Sequence, residues 1–345
     1  KIAIIDSDFS MPVKTWCFWE KGKGKWDDLL TKSWNKGKFI SSEENIDLQL
    51  SPYTYKMIKA KDYHQKLQDE IEESGDIEFI TDEIRKIDPV TMKAKGLKKS
   101  YGATHFFDSR VDPSYLESKK HTTIFQHFKG WEVETEKPVF TPNSFTMMDY
   151  RIKYPDATAF TYILPFTEKK ALVEYTFFSP FLTEDKVYDK MLQQYFEKIL
   201  KTKDFKIKST ETGVIPMTDF PFDKANTEQI TKIGTGGGWV KPSTGYSFKN
   251  TEKRIGKIIE NIKSGKLPGE NLINYKFRKY DAIFLDVLAQ NNQKGEEIFT
   301  KFYNKNSPQD IFRYLDEETS VSEDLKIMLS LYSFDFVTSF FRKTL

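Results

Sequence analysis

Glu174 is a lone carboxyl in an apolar run. It sits in ALVEYTFFSP, and no other Asp, Glu, Lys, Arg or His occurs between Lys170 and Glu184. Strand position alone favours a solvated carboxylate on an edge strand. Kept from water, the same group would hold its proton, because burial penalises the charged form, and a protonated Glu at neutral pH is a general acid. Asp149 is a rival acid. It lies two residues from Arg151 in MMDYR, which reads either as a surface pair of little worth or as support for a buried acid. Glu132, beside Trp131 in QHFKGWEVE, is a second rival; its plain reading is a solvated residue on an amphipathic strand.

Two other places have the residue types that hold a nucleotide. The first strand, KIAII, ends at Asp6, where dinucleotide-binding folds hold a ribose hydroxyl. Such folds place a Gly-rich turn and helix about 20 residues before that acid, so the expectation is a chain missing its first strand, phosphate loop and helix. Thr104–Asp108 is a second apolar run closing on an acid, which suggests one sheet with its loops gathered at a common edge. The other place is Ile233 to Tyr246, where Gly236, Gly237 and Gly238 precede Ser243, Thr244 and Gly245. Glycine at this density either lets backbone N–H groups converge on an anion or forms a plain Gly-rich hairpin.

The elements that must position these groups follow from periodicity. Thr158–Pro180 reads as a β-hairpin around the charged tip Glu168-Lys169-Lys170, with Leu172, Glu174, Thr176 and Phe178 on one face. Asp62–Ser74 reads as a helix stopped by Gly75. Tyr188–Lys201 is a second helix, and Asn250–Lys263 a third with Asn250 as N-cap. Thr15-Trp16-Cys17-Phe18-Trp19 shows neither a helical nor a strand period, and residues beyond 274 read as helical.

The chain of 345 residues holds 53 basic and 51 acidic residues, a net charge of +2, which argues against a nucleic-acid partner. One Cys and four scattered His give no disulfide framework and no metal cluster. No apolar run nears the ~18 residues of a spanning helix. Aromatic residues make up 15% of the chain, 29 Phe and 17 Tyr among them, which suits either a Phe-rich core or a pocket for a long apolar ligand.

TWCFW (15–19), FDSR (107–110), QHFKGWEVE (126–134), MMDYR (147–151), ILPF with ALVEYT (163–176), GVIPM (213–217), GTGGGWVKPSTGYSF (234–248) and YLDEET (314–319) run in one order along essentially the whole chain. Together they resemble the bacterial lycopene β-cyclase family of flavobacterial type. The resemblance implies an α/β fold in which a Rossmann-like FAD-binding domain is interleaved with a β-sheet substrate domain, hydroxybenzoate-hydroxylase-like, with a helical C-terminal section. The expected boundaries are 1–42, 76–122 and 211–270 for the FAD domain, 43–75 and 123–210 for the substrate domain, and 271–345 for the helices.

The resemblance further implies reduced FAD with NAD(P)H as reductant, and lycopene or a related acyclic carotenoid as substrate. The reaction it implies is redox-neutral closure of ψ end groups to β-ionone rings. It places Glu174 as the acid; beside it, the residues themselves offer Asp149, Arg151, Glu132 and Trp131 as possible supports. Asp6 would hold the FAD ribose, and Gly236, Gly237, Gly238, Ser243, Thr244 and Gly245 would lie along the flavin and its phosphates. The expected location is cytoplasmic, at a membrane surface. Three alternatives stand beside this reading: a monooxygenase or isoprenoid reductase of the same fold, a non-catalytic carrier of apolar lipid, and a truncated, inactive product.

Overall fold

The computed structural model describes residues 1–11 and 13–344; Pro12 and Leu345, which fall in the first and last expected segments, lie outside the described residues. The chain opens with β1 (Ile2–Asp6), β2 (Thr15–Lys21) and β3 (Leu30–Trp34), then the hairpin β4 (Lys36–Ile40) and β5 (Asn45–Gln49), then β6 (Tyr53–Lys59) and α1 (Ala60–Ser74). Gly75, at φ 66°, takes the left-handed conformation that ends α1. Short strands follow: β7 (Ile77–Thr81), β8 (Ile84–Asp88), β9 (Lys93–Gly96), β10 (Ser100–Gly102) and β11 (Phe106–Asp108).

The long strands come next: β12 (Thr123–Thr135), β13 (Phe145–Asp149), β14 (Thr158–Pro165) and β15 (Lys170–Ser179). After α2 (Asp185–Gln194) come β16 (Phe205–Thr218), β17 (Ile230–Lys232) and α3 (Phe248–Lys263). The C-terminal section is α4 (Tyr275–Gln290), α5 (Gly295–Lys305), α6 (Pro308–Leu315), α7 (Val321–Ser330) and α8 (Phe334–Thr344). Two of these helices start on local signals. The Ser307 side chain caps α6 ahead of Pro308, and Ser320 and Glu323 form a reciprocal capping box on α7.

The centre of the molecule is a seven-stranded sheet in the order β16-β12-β15-β14-β13-β4-β5. Its faces bury different partners. Leu172 and Phe178 of β15 join a core with Phe299, Phe302 and Leu315 of the C-terminal helices, while Val173, Tyr175 and Phe177 pack with Tyr188, Leu192 and Tyr195 from α2 and the turn after it. A strand buried on both faces carries little polar alternation, so a single carboxyl stands out in it.

Interleaving is visible in the parallel pairs. β1 pairs with β7 and β11 with β17, so segments far apart in sequence meet around the large sheet. These are two separate two-stranded sheets, which corrects the expectation of one sheet carrying both Asp6 and Asp108. The unbroken apolar run of β1 reads as a strand covered on both faces, yet Ile2 is 61% exposed. β4 and β16 hydrogen-bond into the large sheet, so that sheet draws on residues either side of the boundaries at 42 and 211.

Two further expectations are corrected. TWCFW is a strand, β2, paired antiparallel with β6. Its period was hidden because both faces carry aromatic residues with packing partners: Trp16 and Phe18 pack toward Tyr63 and Phe248, Trp19 toward Phe312. Asn250 is not the N-cap of α3, which begins at Phe248 after Ser247; Asn250 is buried inside the first turn.

Candidate active site

Glu174 lies mid-strand in β15, and its neighbours in register are Gly130 on β12 and Tyr162 on β14. Its face of the sheet is covered by the C-terminal helices, so the side chain is 6% exposed and looks into a cavity of about 220 Å³ instead of solvent. Phe128, Met147, Phe160, Tyr162, Phe178 and Phe302 give that cavity an apolar, electron-rich wall. Burial is the main force on the carboxyl, and the nearby charge of Glu211 adds to it; together they push its pKa up to about 8. The Thr176 hydroxyl donates to Glu174 Oε1 at 2.5 Å and Lys14 attracts the charged form, and both act the other way without cancelling the rise.

Glu211 is the residue the sequence reading gave no role. It stands on β16 opposite Gly130, lines the same cavity, and accepts from Thr15 Oγ1 at 2.8 Å. Burial raises its pKa as well. Its membership of the site depends on cross-strand register, which has no local signature.

A chain of hydroxyls closes the other side. Tyr55 OH is 2.8 Å from Tyr162 OH and 2.9 Å from Tyr246 OH, and burial raises the pKa of all three phenols, so they stay neutral partners. Burial also pushes the Cys17 thiol, in the same wall, up to about 12.

Of the expected supports, the structure brings none into this cavity. Trp131 is on the opposite face of β12, its indole N–H donating to Asp189 Oδ1 at 3.2 Å. Asp149 accepts from Arg151 Nε at 2.9 Å and from Tyr195 OH at 2.6 Å, and Tyr195 belongs to the core behind the sheet. A register irregularity in β13 between Thr146 and Asp149 breaks the alternation. Glu132 shares the face of Glu174 but pairs with Lys59 at 3.1 Å nearer the surface.

The glycine loop is divided. Thr244 and Gly245 line the cavity with Glu174. Gly234–Gly237 forms one tight turn, and the N–H groups of Gly237, Gly238, Thr244 and Gly245 donate to Ile233, Thr235, Lys241 and Lys241 carbonyls. Those donors are spent within the loop, which corrects the expectation that they converge on an anion. The glycines serve close packing instead: a Cβ on Gly236 would lie 2.5 Å from the Arg110 carbonyl oxygen. Ser243 Oγ donates to Asp281, beside Lys241. Asp6 ends β1 in the open, accepting from the Asp8 N–H at 3.2 Å, and is not among the residues lining the Glu174 cavity.

Comparisons with known proteins agree with this architecture. The family model described as Lycopene cyclase protein matches residues 1–343. A lycopene beta-cyclase from Paracoccus sp. (strain N81106 / MBIC 01143) is 31% identical over 93 residues, which are 27% of this chain and 24% of that protein. The matched stretch therefore spans about a quarter of the relative's length. A geranylgeranyl bacteriochlorophyll reductase-like protein from Thermoplasma acidophilum, 12% identical, superposes with a TM-score of 0.62 over 92% of this chain and 84% of that one. The 2-methyl-3-hydroxypyridine-5-carboxylic acid oxygenase, 10% identical, gives 0.58 over 92% and 90%. These likenesses establish the fold: the interleaved α/β and β-sheet arrangement of the hydroxybenzoate-hydroxylase-like class.

Proposed function

The chain belongs to the lycopene cyclase family, and on that premise we propose that it closes the acyclic ends of lycopene, or a related acyclic carotenoid, to β-ionone rings, with Glu174 as the proton donor. The observation that carries this reading is a carboxyl whose pKa is raised to about 8, facing an aromatic cavity. An ordinary Glu, with pKa ~4.3, would be almost wholly ionised at neutral pH and no acid for an isolated alkene. Thr176 occupies Oε1, which leaves Oε2 to carry the proton toward the substrate.

Protonation of the terminal double bond gives a tertiary cation, which the next double bond in reach attacks to form the ring. Loss of a proton from the ring restores a double bond. One proton enters and one leaves, so the pigment's mass is unchanged. The aromatic walls exclude water from the cation and attract it, at about 0.5–2 kcal/mol for each well-placed face.

Reduced FAD, with NAD(P)H as its reductant, would supply an electron-rich ring system that favours the cation. The residues present offer it two polar atoms in the cavity wall: Gln126 Oε1 and Thr244 Oγ1 are buried there without a partner, and Gly245, at φ 75°, has no side chain to strike the Gln126 amide, whose oxygen lies 1.8 Å from where a Cβ would start. Thr244 and Gln126 would therefore hold it, with Gly245 giving the Gln126 amide its place.

We place the enzyme at a membrane surface, where its substrate dissolves. Among the described residues no helix is long and apolar enough to cross a membrane, while Phe334 is 83% exposed and Leu329 and Tyr332 each 69%, side chains that suit an interface. The deciding experiment is to supply lycopene in vesicles with reduced FAD and weigh the product. An isomer of unchanged mass carrying β-rings supports the reading. A product differing by hydrogen or oxygen would support the redox chemistry for which the structural neighbours are named.

A further inference from the structure

A second cavity, of about 350 Å³, lies among α4, α5, α7 and α8. Ile283 and Phe284 of α4 and Phe336 and Val337 of α8 line it, and Leu329 and Tyr332 stand at its rim. Apart from a few hydroxyls, Ser243 and Thr244 among them, its walls are hydrocarbon. Four residues line both this cavity and the one holding Glu174: Thr244, Phe299, Phe302 and Leu315. The two spaces therefore meet at a shared wall, with Glu174 beyond the inner one and the exposed apolar side chains of α7 and α8 around the outer one.

Size decides what this means for a substrate. At about 220 Å³ the Glu174 cavity is smaller than the range of about 300–1,000 Å³ that holds a drug-sized ligand. A forty-carbon polyene is longer than such a ligand, and only its end group has to reach the acid. The remainder needs an apolar path leading away from Glu174, because leaving it in water would forfeit about 25 cal/mol for each Å2 of apolar surface. The helical cavity is apolar, adjoins the inner cavity and opens where apolar side chains are exposed.

We propose that the cavity among the C-terminal helices is the subsite for the distal arm of the acyclic polyene while its end group lies at Glu174. This rests on the reading of the protein as a carotenoid cyclase and adds where the unreacting part of the substrate binds. The binding energy of that arm positions the reacting end, so the helical section sets the length of substrate the enzyme accepts.

The test uses the full chain with Glu174→Gln, which cannot turn substrate over, and adds Val337→Trp to fill the outer cavity. Transfer of lycopene from phosphatidylcholine vesicles to protein is compared with transfer of a twenty-carbon acyclic polyene. Val337→Trp should weaken lycopene binding at least tenfold and leave the shorter polyene within twofold. Equal weakening of both, or of neither, overturns the subsite. Unchanged thermal unfolding shows that the variant is folded, and Val337→Phe takes its place if it is not. Cyclisation by the unsubstituted enzyme is scored separately: its absence removes the functional reading, whereas the length-dependent binding decides the subsite.

Discussion

Glu174 and Glu211 line one cavity from either side of Gly130, which has no side chain to part them. The position where a Cβ on Gly130 would begin is 3.6 Å from Glu174 Cβ and 3.3 Å from Glu211 Cγ. Strand pairing thus brings two carboxyls of one face together across a gap. Each is buried, and the charge of Glu211 makes it harder for Glu174 to ionise.

Glu211→Gln removes that charge and should lower the pKa of Glu174. The reaction needs Glu174 protonated, so its rate falls as pH rises through that pKa. In the variant the fall should come at lower pH, by about a unit or less, since burial is the larger cause of the shift. A pH–rate profile measures this. A limb that stays in place would show that the two acids do not interact, and one that moves up would contradict the repulsion between them.

The same residue links stability to pH. The pKa of Glu174 is raised on folding, from 4.5 to about 8, so the folded state keeps a proton that the unfolded chain gives up. Its contribution is complete below about 4.5 and is lost as pH climbs to about 8, at about 1.4 kcal/mol per unit. Denaturant unfolding of Glu174→Gln should therefore decline less than wild type across that window. Parallel curves would mean that the carboxyl ionises freely in the folded protein.

Asp149 offers the contrast of a buried carboxyl with a structural task. Asp149→Asn weakens its bonds to Arg151 and Tyr195 behind the sheet. Arg151 is 41% exposed on its side chain and can return to water, so the cost should be about 2 kcal/mol, read by chemical denaturation. Turnover per folded molecule should stay near wild type. A selective loss of turnover at unchanged stability would return Asp149 to the chemistry.

Much of the site was legible where it is local. The alternation of β15 put Leu172, Glu174, Thr176 and Phe178 on one face, and the hairpin turns at residues 166–169 between β14 and β15 as the charged tip indicated. Gly75 marked the end of α1. What sequence could not show is what covers each face and which residues stand opposite. Helices more than a hundred residues downstream bury the face of Glu174, and register alone sets Glu211 across from Gly130. Trp131 and Asp149 were expected as supports of the acid. The parity of β12 turns Trp131 to the other core, and the irregularity in β13 does the same for Asp149. Composition suggested a phosphate cradle in the glycine loop, whereas the glycines let its backbone pack against neighbouring carbonyls.

The central claim is that Glu174 supplies the proton. Glu174→Gln keeps the size of the side chain and its contact with Thr176, and removes the acid. With lycopene in vesicles and reduced FAD, formation of β-rings should fall at least a thousandfold in this variant, while flavin binding, followed by its absorption spectrum, stays as in wild type. β-Ring formation by Glu174→Gln at a rate near wild type would contradict the account and place the proton donor elsewhere.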